Sequence, residues 1–272
     1  MKVSYLGPKG SFSEIALLNY FGNDANAIPM SSIGDVFKAV ENNESTYGVI
    51  PIENSIEGSV NNSHDLLIKS NILISGEIEI RINQCLLSNN SSKEKINTLY
   101  SHSQSLAQCQ NWIKSNIPNI KIIPVISNSE GAAMIKNNNE ACIGSEKLSK
   151  DYTLNVLEYN IQDISDNTTR FLIISQEACE KSANNKTSII VSPLNTSDSG
   201  SLFKVLEPFA NNNVSLSRIE SRPSKMRKWS YVFFIDLEGH ISDKSIIEAL
   251  SELKKLDIEF KNLGSYPISR DS

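Results

Sequence analysis

Basic residues, cysteines and long apolar runs are all scarce in this chain of 272 residues. Lys and Arg number 26 against 31 Asp and Glu, which gives a net charge of −5. A nucleic-acid-binding surface normally shows as a basic stripe, so nucleic-acid binding is not expected. No run approaches the roughly 18 apolar residues that a membrane-spanning helix requires, and we expect no secretory signal segment. The sequence therefore predicts no membrane association.

The cysteines exclude a further group of sites. Cys85, Cys109, Cys142 and Cys179 lie far apart and form no C-x-x-C pair, so neither a zinc site nor a redox motif is predicted. Scattered free thiols are typical of a reducing compartment. With 39% hydrophobic and 21% charged residues, the chain is also too apolar for a disordered protein. We therefore expect a folded cytoplasmic protein without a metal.

The first 180 residues alternate short apolar strands with helices, which is the pattern of an α/β fold. Ser11 and Ser32 are placed to cap two of these helices. Alternating isoleucines within 72–87 predict a long, half-exposed strand that carries the backbone from one lobe to another. The apolar segment 169–175 predicts a strand that returns to the first lobe. We therefore expect a catalytic or binding domain at 1–180, made of two lobes with a cleft between them.

A polar stretch at 176–186 marks the expected domain boundary. The elements predicted beyond it follow the order β-α-β-β-α-β, which is that of a ferredoxin-like domain, placed at 185–272. The predicted fold class is therefore α/β, with a two-lobed domain followed by a smaller ferredoxin-like one.

Three polar residues stand out by position or type. Glu53 and Asn54 follow a strand that reads as buried, which is where α/β folds present functional groups; taken alone, they would fit a solvated turn better. Arg170 is one of two arginines in the first 180 residues, and its planar fork binds carboxylates in a bidentate manner. An ordinary structural salt bridge is the alternative for Arg170.

Several motifs occur in one order along the whole chain. They are Gly7-Pro8-Lys9-Gly10-Ser11-Phe12-Ser13, Pro51-Ile52-Glu53-Asn54-Ser55 with Gly58, Ser101-His102-Ser103-Gln104 with Gln108-Cys109, Asp166-Asn167-Thr168-Thr169-Arg170-Phe171 and Glu220-Ser221-Arg222-Pro223. Together they resemble the prephenate dehydratase family. The resemblance implies a catalytic domain similar to periplasmic binding proteins at 1–180 and an ACT regulatory domain at 185–272. It also implies that prephenate loses CO₂ and water to give phenylpyruvate without a cofactor, in the biosynthesis of phenylalanine.

Roles in the cleft also follow from the resemblance. The residues implied to be catalytic are Thr169, Glu53, Asn54 and Gln108, and those implied to bind substrate are Ser11, Ser101, Arg170 and Ser129. Thr169 would hydrogen-bond the departing hydroxyl and deliver or relay a proton to it. A free threonine is too weak an acid to do this unaided, so a neighbouring polar network is expected.

The last domain carries the motif through which the family senses phenylalanine. The residues implied to bind this effector are Gly200, Ser201, Leu202, Glu220, Ser221, Arg222 and Pro223. Ser201 replaces the usual alanine, and a hydroxyl facing an apolar ring would weaken binding unless it found a partner. The alternative is a dimerisation module that senses nothing. Because ACT domains usually pair, we expect a homodimer or a dimer of dimers.

Two alternatives stay open for the function. Arogenate, which carries an ammonium group where prephenate has a keto oxygen, could be the substrate of the same chemistry. A non-catalytic, two-lobed amino-acid sensor is the second alternative. Because the first predicted strand starts at residue 3, we expect no fused chorismate mutase, and prephenate would come from a separate enzyme.

Overall fold

The structure is a computed structural model that describes residues 1–192, 199–224, 231–256 and 258–268. The last four residues of the domain predicted at 185–272 therefore lie outside the described residues. The first lobe contains β1 (Lys2–Leu6), α1 (Phe12–Phe21), β2 (Asn26–Met30), α2 (Ile33–Glu41), β3 (Tyr47–Asn54), β4 (Gly58–Ser59), α3 (Asn61–Lys69), β5 (Leu73–Arg81) and, later in the chain, β11 (Thr168–Ser175). The second lobe contains β6 (Cys85–Ser88), β7 (Thr98–His102), α4 (Ser103–Gln108), α5 (Gln110–Asn116), β8 (Lys121–Val125), α6 (Asn128–Met134), β9 (Glu140–Gly144), α7 (Glu146–Tyr152) and β10 (Asn155–Glu158).

The remaining elements form the third unit: β12 (Asn185–Ser192), α8 (Ser201–Asn211), β13 (Leu216–Pro223), β14 (Tyr231–Glu238), α9 (Lys244–Lys255) and β15 (Glu259–Pro267). Its sheet is antiparallel, with the strand order β13-β14-β12-β15. This is the predicted ferredoxin-like arrangement, and it leaves β13 at one edge.

The two lobes have separate sheets. The first has the order β2-β1-β3-β11-β5, with β4 paired to β3, and the second has the order β10-β6-β9-β7-β8. The chain crosses between them at 82–84 and returns before β11, as the sequence predicts. The predicted half-exposed strand at 72–87 is wrong in detail, because it is two strands, β5 and β6, whose residues are mostly buried.

Local sequence accounts for the helix starts. The Ser11 hydroxyl accepts from the Glu14 N–H at 3.3 Å, and the Ser32 hydroxyl accepts from the Asp35 N–H at 3.1 Å. Both serines therefore cap helices as predicted, each satisfying a backbone N–H that has no partner within its helix. No helix among the described residues is long and apolar enough to cross a membrane.

The first lobe and the third unit share one apolar core. Ile50, Leu172 and Ile74 of the first lobe belong to the same buried cluster as Phe234 and Tyr266 of the third unit. At Gly264 the two backbones nearly touch, since a Cβ there would lie 2.2 Å from the Ile74 carbonyl oxygen. The third unit is therefore packed against the lobe that carries β3 and β11.

Candidate active site

A cleft of about 580 Å³ lies between the two lobes, and the ends of β3 and β11 form part of its wall. Asn54 and Thr169 are direct partners in the antiparallel pairing of these strands. The Asn54 side-chain amide donates to the Thr169 hydroxyl oxygen at 2.9 Å and to the Asn167 side-chain oxygen at 2.6 Å. Because an amide N–H can only donate, the Thr169 oxygen is the acceptor, and its own proton remains for a ligand.

Asn54 also shapes the turn after β3. Its side-chain oxygen accepts from the backbone N–H groups of Ile56 at 3.0 Å and Glu57 at 2.9 Å. Asparagine side chains commonly bond the backbone two residues on in this way. The turn thereby brings Glu57, which the motif analysis did not single out, to the cleft wall.

Glu53 lies elsewhere than predicted. Successive side chains of a strand point to opposite faces, so Glu53 and Asn54 cannot both face the cleft. The Glu53 carboxylate pairs instead with Arg218 of the third unit, 2.8 Å from its Nε, and Glu53 does not line the cleft. The prediction of a catalytic Glu53 in the cleft therefore disagrees with the structure.

Arg170 was predicted to bind substrate in the cleft, but it lies elsewhere. It is the neighbour of Thr169 on β11, and neighbouring side chains of a strand point to opposite faces. Its guanidinium contacts Glu77 at 2.6 Å and Asp236 at 2.8 Å, and it donates to the Tyr266 hydroxyl at 3.2 Å. Lys186 adds a second cation, 2.7 Å from the Glu77 carboxylate. All of these side chains are largely buried. Arg170 therefore joins the first lobe to the third unit, which is the structural alternative, and does not face the cleft.

The second lobe contributes amide groups to the cleft. Gln108, where the sequence places it, donates to the Glu57 carboxylate at 2.9 Å, and Gln104 donates to the other oxygen of the same carboxylate. Gln84 donates to the Gln108 side-chain oxygen at 3.1 Å. Glu57 therefore bridges the lobes, and Gln108 is held on both sides.

The three serines predicted to bind substrate differ in their surroundings. Ser11 and Ser129 line the cleft, and the Ser129 hydroxyl donates to the carbonyl of Lys9 in the opposite lobe. Ser101 is fully buried and does not line the cleft. It contacts the side-chain oxygen of Asn128 at 3.3 Å, and Asn128 is the cleft residue. Ser101 therefore supports a cleft residue from beneath, in contrast to the prediction of direct contact.

Charged groups are few in this cleft. Among the described residues that line it, Glu57 is the only carboxylate and His102 the only imidazole, and none is a lysine or an arginine. A carboxylate ligand would therefore meet hydroxyls, amides and backbone N–H groups. Sequence reasoning missed Glu57 and Asn128; the turn that Asn54 can form was the available signal for Glu57.

The predicted effector residues fall on two elements of the third unit. Gly200 has a φ of +79° and directly precedes α8, which begins with Ser201 and Leu202. Glu220, Ser221, Arg222 and Pro223 lie on the edge strand β13, where Ser221 and Pro223 are exposed and Arg222 is buried. The Glu220 carboxylate contacts His64 at 3.2 Å and Arg222 at 3.3 Å. One face of this segment therefore meets the first lobe, and the other faces outward.

Comparison with known proteins covers nearly the whole chain. Residues 3–179 match the family model for prephenate dehydratase, and residues 190–255 match the model for the ACT domain. A bifunctional chorismate mutase/prephenate dehydratase of Aquifex aeolicus is 42% identical over 268 residues, covering 98% of this chain and 74% of the relative. The prephenate dehydratase of Methanocaldococcus jannaschii is 38% identical over 273 residues, covering 98% of both chains. The crystal structure of prephenate dehydratase from Arthrobacter aurescens, in complex with L-Phe, has a TM-score of 0.87 at 31% identity, covering 98% of this chain and 90% of that one.

Proposed function

Because the chain belongs to the prephenate dehydratase family and carries an ACT domain, we propose that it converts prephenate to phenylpyruvate, water and CO₂. The protein is a lyase, as its relatives are. One observation carries the mechanism: the Asn54 amide donates to the Thr169 oxygen, so the threonine proton is left to be donated to a ligand.

The reaction breaks two bonds and needs one proton. The bond between the ring and its carboxylate breaks, and that electron pair enters the ring as CO₂ leaves. The bond between the ring and its hydroxyl breaks with its electron pair on oxygen, which takes a proton and leaves as water. Thr169 donates this proton while its oxygen takes another from solvent in the cleft, since a hydroxyl by itself is too weak an acid. Positioned proton transfer of this kind typically contributes about 10²–10⁴-fold to a rate.

Neutral donors suit the loss of CO₂. A cation held against the ring carboxylate would stabilise the charged ground state and so oppose the step in which that charge is lost. The second amide protons of Gln104 and Gln108 can bind the substrate carboxylates without this penalty, and the Ser11 and Ser129 hydroxyls can do so on leaving the backbone carbonyls of Leu6 and Lys9. Binding between two lobes also excludes water and fixes the orientation of the reacting groups.

The regulatory part of the proposal concerns the ACT domain. Phenylalanine would bind at Gly200–Leu202 and 220–223 and inhibit turnover, which is supported by the L-Phe complex of the Arthrobacter aurescens relative. The edge position of β13 and the exposed side chains of Ile219 and Tyr231 support pairing of two chains as a homodimer or a dimer of dimers. We assign the catalytic domain to 1–180 and the ACT domain to 185–272. The free cysteines support a cytoplasmic location.

The test is the formation of phenylpyruvate from prephenate by the purified protein, with and without phenylalanine. We expect turnover that phenylalanine suppresses. Turnover that phenylalanine does not suppress would support the proposed activity and contradict the proposed regulation. Reaction with arogenate but not with prephenate would change the substrate, and no reaction with either would favour the amino-acid sensor. Product is measured by absorbance, and each run is matched with Thr169→Ala protein.

A further inference from the structure

Two residues of β13 contact the hairpin that forms the cleft wall. Glu53 and Ser59 are register partners in the pairing of β3 with β4. Arg218 lies 2.8 Å from the Glu53 carboxylate, and a side-chain interaction with Ser59 lowers the pKa of Glu220. Because Arg218 and Glu220 are two residues apart on a strand, both point to the same face. The ACT domain therefore contacts both sides of this hairpin.

The hairpin residues next to these contacts belong to the cleft. Asn54 follows Glu53 and holds the Thr169 hydroxyl. Gly58, Ser59 and Val60 line the cleft directly. Glu53 and Ser59 therefore have a short covalent path to the residues around the threonine, because all of them are adjacent in one short hairpin.

Arg218 joins the two contacts to each other. Its guanidinium also binds the Glu220 carboxylate, so one side chain connects Glu53 of the catalytic domain with Glu220 of the proposed effector segment. Arg218 and Glu220 are 16% and 17% exposed, and Glu53 is 38% exposed, so solvent screens these charges only in part. We call this set of contacts among Glu53, Arg218 and Glu220 the Arg218 bridge.

We propose that Arg218 is a positioning residue that transmits the ligand state of the ACT domain to the cleft through Glu53. The inference rests on the proposed regulation by phenylalanine. An effector bound beside Glu220 changes the contacts of that carboxylate and thereby the position of Arg218 and Glu53. Such a ligand can shift the cleft only if it binds the two arrangements with different affinities. The Arg218 bridge supplies a contact that can differ between them.

The test measures coupling and not activity alone. Titration calorimetry gives the phenylalanine Kd with and without saturating phenylpyruvate, and linkage requires the reciprocal effect to be equal. In the wild type, coupling of ordinary size would change this Kd by roughly 5- to 150-fold. Arg218→Met keeps the apolar stem and removes the charge. In this variant we expect the two phenylalanine Kd values, with and without phenylpyruvate, to agree within about twofold. Arg218→Lys should recover part of the coupling.

Two further variants make the result specific. Glu53→Gln breaks the Arg218 bridge from the other side and should uncouple the sites in the same way. Lys181→Met removes an exposed cation that pairs with Asp243 away from the hairpin. In this variant the coupling between phenylalanine and phenylpyruvate binding should equal that of the wild type. Inhibition by phenylalanine is recorded for each variant relative to its own uninhibited turnover, so that a change in basal rate cancels.

The outcomes separate the two proposals. If the wild type neither binds phenylalanine nor is inhibited by it, the proposed regulation fails, and this inference with it. If the wild type is coupled and Arg218→Met is coupled equally, the inference alone is overturned. Loss of phenylalanine binding itself in both Arg218 variants would make Arg218 part of the effector site and would also overturn the inference.

Discussion

The side-chain amide of Asn54 donates to the Thr169 hydroxyl oxygen across 2.9 Å, and the two residues are direct partners in neighbouring antiparallel strands. The carbonyl oxygen of the same side chain holds the turn that leads to Glu57. One buried asparagine therefore fixes both the direction of the Thr169 hydroxyl and the path of the chain along the cleft wall.

Removing the Thr169 hydroxyl should abolish most of the turnover while leaving the cleft intact. For Thr169→Ala we expect kcat to fall about 10²–10⁴-fold, because a positioned proton donor is lost. Binding of phenylpyruvate should change little, since the proton matters most where charge develops in the transition state. Steady-state kinetics and calorimetry measure the two effects. Thr169→Ser, which keeps the hydroxyl, should restore much of the rate.

Thr168→Ala is the matched control for this experiment, because the neighbouring side chain points to the opposite face of β11. It should retain nearly wild-type kcat. An equal loss of kcat in both variants would mean that the strand, and not the Thr169 hydroxyl, had been disturbed.

Replacing Arg170 should lower the free energy of unfolding and leave ligand binding in the cleft largely unchanged. Glu77 and Asp236 are 3% and 7% exposed, and Arg170→Met would remove this cation from both buried carboxylates. Breaking a buried ion pair from one side typically costs about 3–5 kcal/mol. Urea denaturation should show a loss of this size, and the folded protein should still bind phenylpyruvate. Unchanged stability with a large rise in KM would instead support the substrate-binding role expected from the sequence.

The wrong predictions for Glu53 and Arg170 show which features of the site can be predicted from a sequence. Each adjoins a residue that does line the cleft, Asn54 or Thr169, and strand periodicity alone requires neighbours to face opposite ways. The direction of these two side chains could therefore have been predicted from the sequence. Their ion-pair partners could not, because Asp236 and Arg218 are distant in sequence and meet Arg170 and Glu53 only through the packing of two sheets. The crossing between lobes and the ferredoxin-like order are local patterns, and both were predicted.

Gly264→Ala should disturb the contact between the catalytic and ACT domains. Gly264 has a φ of +131°, and an added Cβ would lie 2.2 Å from the Ile74 carbonyl oxygen. Overpacking usually costs about 1–3 kcal/mol beyond the strain of the backbone conformation. Gly22→Ala provides the control, since its φ of +83° is also positive but nothing lies within 4 Å. Thermal unfolding should show a larger loss for Gly264→Ala; equal losses would mean that only backbone strain matters.

Stability should fall in mildly acidic solution because of His64. This side chain is fully buried between α3 and the ACT sheet, with Nδ1 3.1 Å from the Val60 carbonyl oxygen and Nε2 3.2 Å from the Glu220 carboxylate. Burial lowers the pKa of His64, and the nearby Arg218 and Arg222 act in the same direction, although the hydrogen bond to the Val60 carbonyl and the Glu220 carboxylate oppose them.

The sign follows from proton linkage. The unfolded chain has a histidine pKa of about 6.5, so it binds more protons than the folded state once the pH falls through that value. The contribution of His64 to the free energy of unfolding is therefore constant above about pH 6.5. It decreases as the pH falls from there toward the pKa of His64 in the folded state. Glu220 has a lowered pKa and acts in a more acidic window. The difference in unfolding free energy between wild type and His64→Gln should thus vary with pH between about 5 and 7. A difference that stays constant across this range would show that His64 does not titrate on unfolding.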